Sequence, residues 1–159
     1  MTDPLMTGKQ GPAELAAAID AARRRLIGVA GACSSREWQT SPLDGDARPV
    51  GVVVDHVAHS YEYIGFWMRE IVAGHQVTVG PDIVDGYNAE HAVAASRVSQ
   101  AEAVAHLHRS GDALIEFVAG LAPADLDAGD GRTRRLAQIA IRHADDHRAE
   151  IEAALAAAG

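Results

Sequence analysis

The sequence predicts an all-α protein, a four-helix bundle with long inter-helix loops and room for one extra short helix. Three observations carry that expectation. The composition is 48% hydrophobic, much of it alanine, with only 4% aromatics, and Ala, Leu, Glu and Arg favour helix. Four long segments repeat apolar residues at spacings of three and four. The stretches between them concentrate Gly, Pro, Ser and Asp, which interrupt regular structure. At 159 residues the chain reads as one domain over 1–159, with 1–11 as a flexible N-terminal segment.

The first helix is expected over 12–30. Pro12 suits a first helical turn and Glu14 the positive end of the helix dipole. Leu15, Ile19, Ala22 and Leu26 form its inner stripe. A loop follows over 31–49. The second helix is expected over 49–73. Its β-branched opening, PVGVVV, suggests a strand locally, but helical spacing continues through Val57, Tyr61, Ile64, Met68 and Ile71. A second long loop spans 74–88, with an extended piece at 76–79, before a short helix over 88–96.

Ser99 opens the next helix with a capping box, SQAE, in which Glu102 reaches back to the Ser99 amide. Val104, Leu107, Gly111, Leu114 and Val118 face inward, and Pro123 stops the segment. GDGR at 129–132 is a turn, and the last helix is expected over 133–157. Long antiparallel neighbours with one apolar stripe each define a bundle.

The charge balance excludes several functions. With 14 basic and 22 acidic residues the net charge is −8, which opposes binding to nucleic acid or to an anionic membrane surface. RRR at 23–25 and RTRR at 132–135 read as solvated basic faces. The single cysteine, Cys33, permits no internal disulfide and fits a reducing compartment. No charged-then-apolar leader and no span of ~20 apolar residues is present. The expected location is the cytoplasm.

The chemistry lies in the histidines. His143 and His147 sit on the stripe of the last helix with Leu136, Ile139 or Ala140, Ile151, and Ala154 or Leu155. Residues four apart lie about 40° apart around a helix and about 6 Å along it, so both imidazoles can close on one metal ion. The alternative is a pair of hydrogen-bonded core histidines. On the second helix, His56 lies about 60° from the centre of the apolar face and His59 about 120°. His56 is therefore the third candidate ligand and His59 a residue of the edge. His108 can also face inward, His91 is a further candidate, and His75 and His106 read as loop and surface. Asp145, Asp146 and Glu150 are available to orient an imidazole. Glu62 and Glu150 are the candidate general bases. Asn88 and His91 are the candidate contacts for a cosubstrate or substrate.

Four stretches together resemble the DinB-like superfamily, which includes thiol-dependent S-transferases and the mycothiol-dependent maleylpyruvate isomerase domain. They are PVGVVVDHVAHSYEYIGFW at 49–67, NAEHAVA at 88–94, LAPADLD at 121–127 and LAQIAIRHADDHRAEI at 136–151. The resemblance implies a four-helix bundle with one divalent metal on His56, His143 and His147. It also implies that the metal activates a low-molecular-weight thiol, of the mycothiol type, toward a small-molecule electrophile. Zinc is the expected ion, with nickel, iron and manganese as alternatives. Three functional readings stay open: a thiol S-transferase or isomerase, a metal-dependent hydrolase, and a non-enzymatic metal- or ligand-binding bundle. A homodimer is expected from the alanine-rich faces.

Overall fold

The computed structural model describes residues 9–41 and 48–158; most of the expected N-terminal segment, residues 1–8, lies outside them. In order, the elements are α1 (Pro12–Ala32), α2 (Ser35–Trp38), α3 (Val50–Val72), α4 (Pro81–Ala94), α5 (Gln100–Ala119), a 3-10 turn (Pro123–Asp127) and α6 (Ala128–Ala158). The described residues contain no strand, so the 76–79 piece forms no sheet. The fold is all-α, as expected.

Four long helices, α1, α3, α5 and α6, form the bundle. Each of α1 and α3 packs against both α5 and α6, while α1 and α3 barely touch. They are therefore diagonal partners. Side-chain pairings give the directions. Arg25 meets Asp145 and Arg134 meets Gln10, so α1 and α6 run parallel. Arg23 meets Asp112 and Gln100 meets Ala30, so α1 and α5 run antiparallel. Asp55 meets His106 and Arg69 lies over Phe117, so α3 and α5 run parallel.

The topology is thus up-down-down-up, not the all-antiparallel arrangement expected from the sequence. Two parallel consecutive helices need a return path, and α4 supplies it. It runs back along α3, with Tyr87 near Trp67 and His91 against Asp55. That requirement explains why α4 is a 14-residue helix starting at Pro81, where the sequence suggested a loop as far as 88 and a short helix only over 88–96.

The core stripe of α1 is Leu15, Ile19, Ala22, Leu26 and Ala30, all fully buried. Arg23 joins it at 6% exposure, contrary to the reading of 23–25 as a solvated face. Its guanidinium donates to Asp112 (2.6 Å), Asp20 (2.7 Å) and the His108 carbonyl (3.0 Å). Gly111 makes room for it: a Cβ there would stand 2.4 Å from Arg23 Cδ. His108 itself is exposed, so it does not face the core as expected.

α3 is helical from Val50 despite its β-branched opening, because both flanks of that turn are buried: Val50, Val53, Val54 and Val57 are at most 1% exposed. The capping box at Ser99 forms in both directions. At the start of α6, Gly129, Asp130 and Gly131 all have positive φ (62°, 54° and 77°). This left-handed run precedes the regular helix that follows; glycine adopts it without strain at 129 and 131, and Asp130 is of the residue type that best tolerates it after glycine.

Candidate metal centre

α3 and α6 cross antiparallel at mid-bundle, and there His56, His143 and His147 converge. One ligand nitrogen from each lies within 4.8 Å of the other two. His56 Nε2 and His143 Nε2 approach to 2.9 Å. Ring centroids are 4.8 Å apart for His56 and His143, 5.3 Å for His56 and His147, and 4.5 Å for His143 and His147.

The local fold explains this placement. The centre of the α6 seam is Thr133, Ala137, Ala140, Ala144 and Ile151, all at 0% exposure. Small alanines let α6 approach its neighbours closely. Of the expected stripe, Ala140 and Ile151 lie at that centre, whereas Leu136, Ile139, His143 and His147 are rotated off it: Ile139 is 41% exposed and the two histidines half-buried. The imidazoles flank the seam on the side that faces α3, where His56 is 3% exposed.

The donor set fits a divalent cation. Burial pushes His56 down to about 2 and His143 down to about 4, with the neighbouring imidazoles and the Arg48 cation adding to the effect. Both rings are neutral at physiological pH, the form in which imidazole offers a lone pair. His56 Nδ1 is buried with no partner. His147 Nδ1 is 2.9 Å from Glu150 Oε2; as a donor to that carboxylate it leaves Nε2 free to coordinate. Oriented imidazoles of this kind are how metal ligands are held.

Beside the trio lies a second, acid-rich histidine group that the sequence did not reveal. Asp55, 7% exposed, accepts from His91 Nε2 (2.7 Å) and His106 Nδ1 (2.8 Å). His106 Nε2 reaches Glu62 (2.7 Å), and His59 Nδ1 lies 3.4 Å from the same carboxylate. Burial would raise the Asp55 carboxyl, but the hydrogen bonds from His106 and His91 outweigh it and hold it below the usual carboxylate range. His106 is raised by its bond to Asp55. It is a bridging residue, not the surface residue expected.

His91 stacks on His59 with 4.9 Å between centroids and lies 5.9 Å from His56. Its Nδ1, like Asn88 Oδ1, is buried without a partner. His59 sits at the bundle edge and His75 is exposed, paired with Glu70 at 2.8 Å. Asp145 is committed to Arg25, leaving Glu150 as the acid at the trio. Cys33 is 7% exposed, donates to the Val29 carbonyl (3.3 Å), and burial pushes its thiol up. It is not an activated nucleophile.

A cavity of about 400 Å³ opens next to His143, between α3, α4, α6 and the loop after α3. Its walls are mainly apolar, with Ile64, Trp67, Leu136 and Ile139 prominent.

An all-α bundle with a trihistidine cluster between two of its helices defines the class. A family model described as the DinB superfamily matches residues 18–151, and the chain belongs to that superfamily. No curated protein and no solved structure gives a significant match. No helix among the described residues is long and apolar enough to cross a membrane.

Proposed function

We propose that this protein binds one divalent metal ion through His56, His143 and His147 and acts as a thiol S-transferase or isomerase on a small electrophile. The observation that carries the reading is the convergence of three imidazoles beside an apolar cavity. When bound, a divalent ion would supply Lewis acidity, lowering the pKa of a thiol or water that joins it. Three neutral protein ligands leave coordination positions for such a group.

The chain's own residues favour a thiol over water. The carboxylates around the imidazoles are committed: Glu150 to His147, Asp55 to His91 and His106, and Glu62 to His106. A water nucleophile benefits from a free general base. A thiol, intrinsically far more acidic, needs none. Asn88 Oδ1 and His91 Nδ1, buried and unpaired, are the polar groups available to hold a cosubstrate such as mycothiol. Zinc is the preferred ion, with nickel, iron and manganese as alternatives. The reducing cytoplasm, where such thiols are abundant, is the fitting location.

Elemental analysis of the untagged protein tests the reading at its base. About one metal per chain is expected in the wild type, and none in the His143→Ala, His147→Ala double variant. Absence of metal in both, after reloading with zinc, nickel and manganese, would make the trio a core hydrogen-bond feature. Thiol-dependent consumption of monochlorobimane by the loaded protein then separates transferase from hydrolase. No rate above background with several thiols, alongside hydrolysis of model esters, would select the hydrolase. Inertness in both assays would leave a binding protein.

A further inference from the structure

The cavity beside His143 has a charge pattern that narrows its ligand. Its apolar walls, Trp67 and Ile64 from α3 and Leu136 and Ile139 from α6, accept a hydrocarbon or aromatic body. At the end remote from the imidazoles stand two guanidinium groups, Arg132 and Arg135. Neither pairs with a carboxylate among the described residues. Arg132 donates to the Val77 carbonyl (2.6 Å) and Arg135 to the Asp130 carbonyl (2.8 Å). Each guanidinium carries five N–H donors in a planar fork, so most of that capacity is uncommitted.

Five other arginines of this acidic protein, Arg23, Arg24, Arg25, Arg134 and Arg148, pair with carboxylates. Two cations without a carboxylate partner at the mouth of an apolar cavity complement an anion with an apolar tail. Along α6, Arg135 precedes His143 by eight residues, about 12 Å at the helical rise. Arg132, Arg135, Leu136, Ile139 and His143 share one face of the helix by its 3.6-residue period.

We infer that the substrate of this site is an amphipathic carboxylate, its anionic group held by Arg132 and Arg135 and its apolar body lying along α6 toward the histidines. This deepens the proposed function and rests on it for the identity of the reacting end. The anion subsite does not depend on the metal. Arg–carboxylate pairing is bidentate and charge-assisted, which sets the substrate's orientation as well as its affinity.

Calorimetric titration with phenylbutyrate and its neutral isostere phenylbutyramide tests the assignment, on protein as purified and again after chelation. The carboxylate is expected to bind about tenfold more tightly than the amide in both states. That preference is expected to shrink in Arg135→Gln, which leaves the Arg132 tie to Val77 intact, and to vanish in the Arg132→Gln, Arg135→Gln double variant. The amide should bind all three proteins alike. Equal binding of the two probes to wild type, no binding of either, or a preference that survives in the double variant would overturn the inference. A preference lost on chelation but kept in the double variant would place the carboxylate on the ion, and also overturns it. Failure of the trio to bind metal leaves the chelated-state comparison unchanged, so the two proposals fail separately.

Discussion

Asp55 and His56 are neighbours on α3, yet they serve two histidine groups of opposite character. His56 faces α6 and meets two more imidazoles, with Glu150 on the outer nitrogen of His147 as the nearest acid in contact. Asp55 faces α4 and α5 and meets His91 and His106, with Glu62 beyond. One step along a helix rotates a side chain by about 100°, and that rotation separates a cluster of facing imidazoles from a network of imidazoles tied to carboxylates. Imidazole chemistry here is set by partners, not by residue type. Lone pairs facing one another make a place for a cation, whereas imidazoles paired with carboxylates make a structural tie across α3, α4 and α5.

The largest effect that would test this contrast comes from Asp55→Ala. Removing a buried carboxylate that binds two histidines is expected to cost about 3–5 kcal/mol of stability, read by chemical denaturation, while metal stoichiometry stays near wild type in the folded protein. His56→Ala should do the reverse, losing the metal with the helical circular dichroism retained. Loss of metal in Asp55→Ala at full stability would merge the two groups into one.

The pH response comes next. His56 and His143 have folded-state values depressed to about 2 and about 4 from 6.5. Below 6.5 the unfolded chain takes up protons that the folded chain refuses, so stability falls as pH falls. His143 alone contributes a loss of about 3 kcal/mol between pH 6.5 and 4 by proton linkage. The metal-free His143→Ala variant should show a correspondingly flatter unfolding profile over that window.

Glu150→Ala should be milder. Releasing the outer nitrogen of His147 is expected to weaken metal binding about tenfold, measured by competition with a chromophoric chelator. The smallest effect belongs to Glu62→Ala. Glu62 is half exposed, and surface pairs contribute about 1 kcal/mol or less, so its loss should barely move the denaturation midpoint. A large shift would show that the acid network extends rigidly to the surface.

Much of this was legible in the sequence, for definite physical reasons. Helical spacing marked α1, α3, α5 and α6, and the four-residue interval from His143 to His147 marked their shared face. The Ser99 capping box and the GDGR turn are local signals, and they hold locally. What failed depended on partners far along the chain. α4 buries only His91, so no apolar stripe announced its first half, and only the part from 88 onward was legible as helix. Asp55 and His106 are 51 residues apart, and nothing in the spacing of either predicts their meeting. Arg23 looked solvated because its three partners come from α1 and α5 together. Arg132 and Arg135 read as part of a solvated basic cluster, although their register with Leu136, Ile139 and His143 places them on the cavity face.

The positive-φ run at 129–131 confines irregular backbone to the very start of α6. From Arg132 onward one uninterrupted helix carries both the arginines and the two histidines. Helices of this kind do not stretch, so the spacing between the arginine pair and the imidazoles is a fixed gauge. A ligand anchored at the arginines, as inferred above, would be measured as with a ruler, its chain length matched to the number of residues between Arg135 and His143. Inserting one residue there would turn the graduations away from each other by about 100°; inserting a full turn would recalibrate the gauge to a longer molecule.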